Sequence, residues 1–379
     1  MKKSNTKTEK EFFSAIKGLD IDRVRKFVQS DSQLLNAYDY DSFGATPLTL
    51  CSFAAAKEMI DQLIQLGADV NRRSDWEMGP WSPLHSAVLA GNDDLARFLL
   101  DRGAELDAHG AAGLGLLNEL STLLDENPDR VCEPGGDGCQ PLHFAGSIEV
   151  AALLIERGAD MEARCVDHFS TPVQYLSLVR PEVARYLITK GAKADLFSAV
   201  MSGAEDAVAD LVNQDPNVVH QRINQETFPP GPVHEVNNIL TFTVGHNATP
   251  LHAAAVANQV KMVSLMIQKG INPNVRGGYD EATPLHLAAW ENHLDIARTL
   301  VENGAEVNIS SGEIHNNSPA GWAIVAGSAD VFEFLMDSGA EVKEFFVADA
   351  KAAVQGEFRA YKNSPQEHYE RILKKLVGQ

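Results

Sequence analysis

Four histidines recur at one place in a repeated phrase, and histidine can bind a metal ion or transfer a proton. Each stands two residues after a proline: His85 in WSPLHSA, His143 in CQPLHFA, His252 in ATPLHAAA and His286 in ATPLHLAA. A metal site or an acid–base pair requires several such side chains to converge on one point. Whether the histidines have a chemical or a structural role therefore depends on how the elements that carry them are arranged.

Those elements are repeats of one short unit. A phrase of glycine, then Ala or Ile, then an acidic or turn-forming residue occurs seven times, with its glycine at Gly67, Gly103, Gly158, Gly191, Gly270, Gly304 and Gly339. Four of the six intervals are 33 to 36 residues, and the other two are 55 and 79. Such a period predicts a solenoid of stacked repeats, and each long interval leaves room for a degenerate unit. Equivalent positions in a stack lie about 10 Å apart, so the histidines should not converge.

Each period predicts two helices. A Thr or Ser before the proline caps the first helix, and proline suits the first helical position because the N–H that it lacks would be unpaired there. The second helix shows apolar spacings of 3 and 4, as in Ile296, Leu300 and Val301. It ends at the phrase glycine, which adopts a left-handed conformation without a Cβ penalty.

These phrases resemble the ankyrin repeat, over about residues 10–343. The resemblance implies that His85, His143, His252 and His286 bond backbone groups of adjacent turns. It also implies that partners bind at the concave face and the hairpin tips.

We predict an all-α ankyrin-repeat solenoid of about ten helix-turn-helix units with short hairpin-like tips. Residues 109–134 and 196–224 are expected to be degenerate units, and Ile239–Val244 has the composition of a strand. The expected divisions are an N-terminal capping helix pair (1–41), repeats (42–224), an inserted finger that protrudes from the edge of the stack (225–246), further repeats (247–343) and C-terminal capping helices (344–379).

Composition narrows the function. The net charge is −20, with 52 acidic and 32 basic residues, so nucleic acid should be repelled. A basic protein partner and a merely solvated surface both fit this charge. No apolar run could span a membrane, and no secretory signal is evident, so we expect a cytoplasmic protein. The cysteines form no CxxC pair and are expected to be reduced, although Cys132 and Cys139 flank a Gly-rich turn and could form a bridge or bind metal.

Catalytic motifs are absent from the sequence. It contains no nucleophile elbow, HExxH, P-loop or complete GxGxxG. We therefore predict a non-enzymatic protein without a metal or a cofactor.

The candidate partner-binding residues lie on the first helices and at the tips. In five repeats an apolar residue stands six positions after the proline: Phe53, Leu89, Val256, Trp290 and Val325. The two aromatic residues among them have the character of interface anchors. The two valines are expected to be half covered by neighbouring helices, and Trp322 to point into the core. The remaining candidates are Phe43, Trp76, Met78, Trp81, Tyr279, Asp280 and Glu291. Alternatively, the aromatic residues at a tip pack against the next tip instead of contacting a partner.

The sequence thus predicts a monomeric protein-interaction module with a protein partner of unknown identity. One alternative is a small-molecule sensor or enzyme-like pocket beside residues 225–246, where the nearest titratable residues are His220, His234, Glu235 and His246. Another alternative is a purely structural spacer.

Overall fold

A computed structural model describes residues 4–231, 238–312, 317–355 and 364–378. Within these ranges the regular structure is helical, apart from two isolated antiparallel bridges, so the predicted all-α repeat fold is confirmed. The chain divides into two compact units. The N-terminal unit comprises Met1–Ala192 and Pro230–Val236, and the C-terminal unit comprises Lys193–Pro229 and Asn237–Gln379.

Six helix pairs are described in the N-terminal unit. The α-helices are α1 (Lys7–Lys17), α2 (Ile21–Ser30), α3 (Pro47–Phe53), α4 (Lys57–Gln65), α5 (Pro83–Leu89), α6 (Asp93–Leu100), α7 (Ala108–Gly113), α8 (Leu117–Glu126), α9 (Ile148–Glu156), α10 (Pro172–Val179) and α11 (Pro181–Thr189). Short 3₁₀ helices span Ser32–Asn36, Tyr40–Ser42, Pro128–Cys132, Gly136–Gly138 and Pro141–Phe144. The last of these replaces the first α-helix of the fifth pair.

Four repeat pairs and a C-terminal pair are described in the C-terminal unit. The α-helices are α12 (Leu196–Ser202), α13 (Glu205–Gln214), α14 (Ile239–Thr243), α15 (Pro250–Val256), α16 (Val260–Gln268), α17 (Pro284–Glu291), α18 (Leu294–Glu302), α19 (Pro319–Ala326), α20 (Ala329–Asp337), α21 (Glu344–Val354) and α22 (Gln366–Val377). The 3₁₀ helices are Pro216–His220 and Tyr279–Glu281. None of the described helices is long and apolar enough to cross a membrane.

Local chemistry sets the helix boundaries. In α5, Ser82 is the N-cap and its Oγ accepts the backbone N–H of His85, while Pro83 occupies the first turn. The seven phrase glycines follow second helices and have φ between 90° and 101°. No atom lies within 4 Å of a Cβ placed on any of them, so the backbone conformation, rather than space, favours glycine.

Asparagine side chains join successive repeats. Asn274 Nδ2 donates to the carbonyl of Gly304 at 3.0 Å, and its Oδ1 accepts the N–H of Glu306 at 2.8 Å. Asn71 makes the same pair of bonds in the N-terminal unit, to Gly103 and Glu105. Asn308 makes it again in the C-terminal unit, to Gly339 and Glu341. Each amide therefore satisfies two backbone groups of the following repeat.

The predicted strand at Ile239–Val244 is wrong, because Ile239–Thr243 forms helix α14. Asn238 caps it by accepting the N–H of Leu240 at 3.0 Å. Leu240 and Val244 lie one helical turn apart and are both fully buried in the C-terminal unit. This part of the expected finger is therefore anchored rather than protruding, and residues 232–237 lie outside the described ranges.

Candidate functional site

Two tryptophans of the C-terminal unit form a partly exposed pair on consecutive first helices. Trp290 of α17 and Trp322 of α19 meet edge to face, with ring centroids 5.8 Å apart. The ring of Trp322 also packs 5.2 Å from His286. Trp322 was expected to point into the core, but it is only partly buried. Its ring lies against His286 and Trp290 of α17. Glu291, next to Trp290, is partly exposed as well.

A second exposed aromatic cluster lies at a repeat tip of the same unit. Tyr279 is 50% exposed, and its hydroxyl donates to the backbone carbonyl of Phe242 at 2.6 Å. Phe242, on helix α14, is itself 52% exposed, and Asp280 is exposed beside Tyr279. Partial burial raises the pKa of Tyr279, which keeps the hydroxyl a donor. Sequence reasoning missed Phe242, because a strand was expected there. The four-residue spacing of the apolar residues Leu240 and Val244 was the available signal for a helix.

The N-terminal unit exposes aromatic residues at two places. Phe43 is 71% exposed, and its ring contacts that of Trp76 in the following tip at 5.0 Å. Phe53 is 47% exposed and contacts the ring of Trp81 at 6.0 Å. Leu89 is partly exposed.

Two predicted tip residues, Trp81 and Met78, are buried, with 6% and 9% of their surface exposed. As buried residues they are not available to a partner, and Trp81 instead packs against a later tip, which is the alternative stated for tip aromatics. The Nε1–H of Trp81 donates to Asp137 Oδ1 at 2.8 Å, in a later repeat. A Cβ added to Gly136 would lie 2.3 Å from the indole ring, so the missing side chain at this position makes room for it.

The repeated histidines of the C-terminal unit hold backbone groups in place. His252 Nδ1 faces the N–H and hydroxyl of Thr249 at 3.2 and 2.8 Å, while Nε2 contacts the carbonyl of Ala282 at 3.1 Å. His286 has the same arrangement with Thr283 and with Asn317 of the next repeat. Burial lowers the pKa of both imidazoles to about 4, so both are neutral at pH 7.

In the N-terminal unit His143 follows this pattern, with Gln140 in place of the threonine and the carbonyl of Ser170 as the second partner. His85 does not, because its Nε2 lies 2.7 Å from the carboxylate of Asp107, and its buried Nδ1 has no hydrogen-bond partner. The expectation that His85 bonds a backbone group is therefore corrected.

The group of His85, Asp107 and His109 has ligand atoms within 4.8 Å of one another. Asp107 is already engaged, because its Oδ1 accepts the N–H of Gly110 at 2.9 Å and its Oδ2 pairs with Arg73 at 3.2 Å. Burial opposes ionisation, yet the hydrogen bond from His85 holds the pKa of Asp107 well below its usual range. This arrangement joins two repeats in the manner of a structural ion pair.

Around the insertion, the titratable residues do not form a convergent set within the described ranges. His220 and His246 are exposed on the surface, and His234 and Glu235 lie outside the described residues. Cys132 and Cys139 are not disulfide-bonded; the first is exposed and the second is buried.

Comparison with known proteins settles the family. Residues 12–110 and 196–311 match the family model for ankyrin repeats (three copies), which is more than half of the chain. The chain belongs to the ankyrin-repeat family. The structure adds helix pairs between the two matched ranges, including most of the degenerate repeat of α7 and α8, whereas the degenerate repeat of α12 and α13 lies within the second range.

Proteins of several kinds are similar to part of the chain. It is 31% identical to alpha-latrocrustotoxin-Lt1a of Latrodectus tredecimguttatus over 141 residues, 34% of this chain and 8% of that protein. It is 29% identical to ankyrin repeat and SAM domain-containing protein 6 of Danio rerio over 249 residues, 60% and 29% of the two chains. It is also 31% identical to protein phosphatase 1 regulatory subunit 27 of Mus musculus over 97 residues, 26% and 60%. The chain spans less than a third of the first curated relatives that it matches. Ankyrin repeats indicate a protein-interaction module.

Proposed function

We propose that this chain is a non-enzymatic module that binds a protein partner through the aromatic surface of its C-terminal unit. That surface consists of Trp290, Trp322, Tyr279 and Phe242. The observation that carries the proposal is the indole pair, in which two tryptophans on consecutive first helices remain partly exposed. Tryptophan and tyrosine dominate interface energetics because each buries a large, rigid surface upon binding.

The charge around these rings favours a basic partner. Asp280 is adjacent to Tyr279, Glu291 is adjacent to Trp290, and the chain carries a net charge of −20. Complementary charge accelerates encounter and selects partners, whereas buried aromatic groups supply most of the affinity. We therefore expect the on-rate to fall as salt is raised, because exposed charges are screened beyond about 10 Å at 0.1 M salt.

The test is quantitative capture from a lysate of the source organism with wild type and two variants as bait. The first variant replaces Trp290 by Ala, and the second replaces Phe334 by Ala as a matched control. Phe334 is a partly exposed aromatic residue of the same unit, but it lies on the second helix α20 beneath Arg298. The Kd of each captured protein is then measured with the purified pair.

We expect the Trp290→Ala variant to weaken binding by about 30-fold or more, the effect of losing a 2 kcal/mol anchor. The Phe334→Ala variant should bind within about threefold of wild type, since its ring lies outside the proposed surface. Equal binding by wild type and Trp290→Ala would refute the surface. A loss in Phe334→Ala alone would place the interface on the second helices instead.

A further inference from the structure

Two consecutive tips of the N-terminal unit bring three potential metal ligands together. Asp137 lies in one tip, and Asp167 and His168 lie in the next. His168 Nε2 is 3.8 Å from Asp137 Oδ2 and 3.7 Å from Asp167 Oδ2, and one ligand atom from each residue lies within 4.8 Å of the others. These separations are too long for direct hydrogen bonds.

The backbone fixes this arrangement. The carbonyl of Asp137 accepts the N–H groups of Val166 and Asp167 at 2.9 and 3.1 Å, which joins the two tips. Asp137 itself has φ of 56°, a left-handed backbone conformation. Since Trp81 donates to Oδ1 of Asp137, the other oxygen, Oδ2, is the one that faces His168.

The carboxylates are buried and incompletely paired. The side chains of Asp137, Asp167 and His168 are only 12%, 10% and 14% exposed. Oδ1 of Asp167 is buried and has no hydrogen-bond partner among the described residues. Within the described part of the chain, neither aspartate forms an ion pair with a lysine or an arginine. A buried carboxylate without such a partner is costly, and a bound cation is one of the ways in which proteins compensate it.

We propose that Asp137, Asp167 and His168 form a binding site for one divalent transition-metal ion, of which zinc is the reference case. One imidazole with two carboxylates suits zinc or manganese better than magnesium or calcium, which prefer oxygen ligands alone. Metal–ligand bonds of about 2.0–2.2 Å place neighbouring ligand atoms about 3 to 3.6 Å apart. The two distances from His168, 3.7 and 3.8 Å, are a few tenths of an ångström above this range, whereas the two carboxylates, whose ligand atoms lie within 4.8 Å of each other, would have to approach by up to about 1 Å.

The surroundings of the site fit this role. The indole of Trp81 orients one ligand, as outer-shell donors do in metal sites. The partly exposed edge of His168 gives an ion access from solvent. Because the ligands come from two tips, a bound ion would tie successive repeats together. Two buried free thiols, Cys139 and Cys165, lie nearby, so thiolate binding of zinc has to be distinguished.

The experiment is isothermal titration calorimetry of the full chain, dialysed against a chelator and kept with a non-thiol reductant. Zinc, manganese and magnesium chlorides are titrated separately. The variants are Asp167→Asn and His168→Gln for the ligands, Trp81→Phe for the outer shell, Cys165→Ser for the thiols, and His220→Gln as a control for surface histidines. Circular dichroism verifies that each variant is folded.

We expect wild type to bind one equivalent of zinc. Asp167→Asn and His168→Gln should each weaken binding by about 100-fold, and Trp81→Phe by about 10-fold. Without metal, Asp167→Asn should be at least as stable as wild type, because it removes a buried charge. Absence of saturable zinc binding to wild type would overturn the proposal. So would unchanged affinity in both ligand variants, a loss confined to Cys165→Ser, or equal affinity for magnesium.

Discussion

The buried histidines of the C-terminal unit should make it sensitive to acid. His252 and His286 are fully buried, and each Nδ1 faces a threonine backbone N–H, so that nitrogen must be the acceptor. Each Nε2–H consequently donates to a carbonyl of the next repeat. A second proton could be added only at Nδ1, where it would break the cap and place a charge in an apolar interior.

The sign and size of the effect follow from the two pKa values. An exposed imidazole in the unfolded chain has a pKa near 6.5, whereas burial, with a contribution from the charge of Arg222 or Arg276, lowers it to about 4 in the folded protein. Stability is therefore complete above about pH 6.5 and falls as the pH drops towards 4. Between pH 7.5 and pH 5, each histidine should reduce the free energy of unfolding by about 2 kcal/mol, and the two together by about 4 kcal/mol.

Urea denaturation followed by circular dichroism at pH 7.5, 6 and 5 measures this loss. The variant His286→Gln should be less stable at pH 7.5, because the cap is weakened. Its pH dependence should nevertheless be smaller than that of wild type by about 2 kcal/mol. His220→Gln, which alters an exposed histidine, should leave the pH dependence unchanged. If His286→Gln kept the full pH dependence of wild type, the buried imidazole would not be its source.

Three further predictions concern the scaffold. Gly304→Ala should cost about 1 kcal/mol in urea denaturation, because φ of 92° strains any residue with a Cβ, although the surrounding space is open. Asn274→Ala should cost about 1 to 3 kcal/mol in the same assay, since two backbone groups of the next repeat lose their partner. Arg371→Ala should cost no more than about 1 kcal/mol and less at high salt, because its ion pairs with Asp330 and Glu333 are largely exposed; a salt titration of the midpoint checks this.

The sequence was sufficient for the helix pairs of the repeats, although not for α14, because the signals of the repeat helices are local. Proline at the first helical turn, a hydroxyl before it and glycine after the second helix each act within one repeat, and the ten predicted pairs are all present in the described residues. The distance from Pro141 to Glu149 is shorter than the corresponding distance from Pro83 to Asp94, in agreement with the short 3₁₀ helix Pro141–Phe144 that replaces an α-helix there.

The candidate surface could be predicted only in part, because exposure depends on contacts between repeats. Trp81 and Trp290 are both aromatic residues at repeat positions expected to be exposed, but only Trp81 meets a glycine-rich tip that admits its ring and a carboxylate that accepts its N–H. Phe242 was missed because its secondary structure was predicted wrongly. Its β-prone neighbours suggested a strand, but burial of Leu240 and Val244 one helical turn apart outweighed that local preference.

The residue four positions after the phrase glycine differs between the two long intervals and most of the regular ones. Asn71, Asn274, Asn308 and Glu162 occupy this position before the four regular intervals, whereas Asp107 and Asp195 occupy it before the two long ones. An amide both donates and accepts, so asparagine can bridge a carbonyl and an N–H of the next repeat. A carboxylate only accepts, and these two instead cap helices α7 and α12, which begin at the next residue. The two degenerate repeats therefore start directly at a helix, because Asp107 and Asp195 are helix N-caps at the position where Asn71, Asn274 and Asn308 bridge to the next repeat.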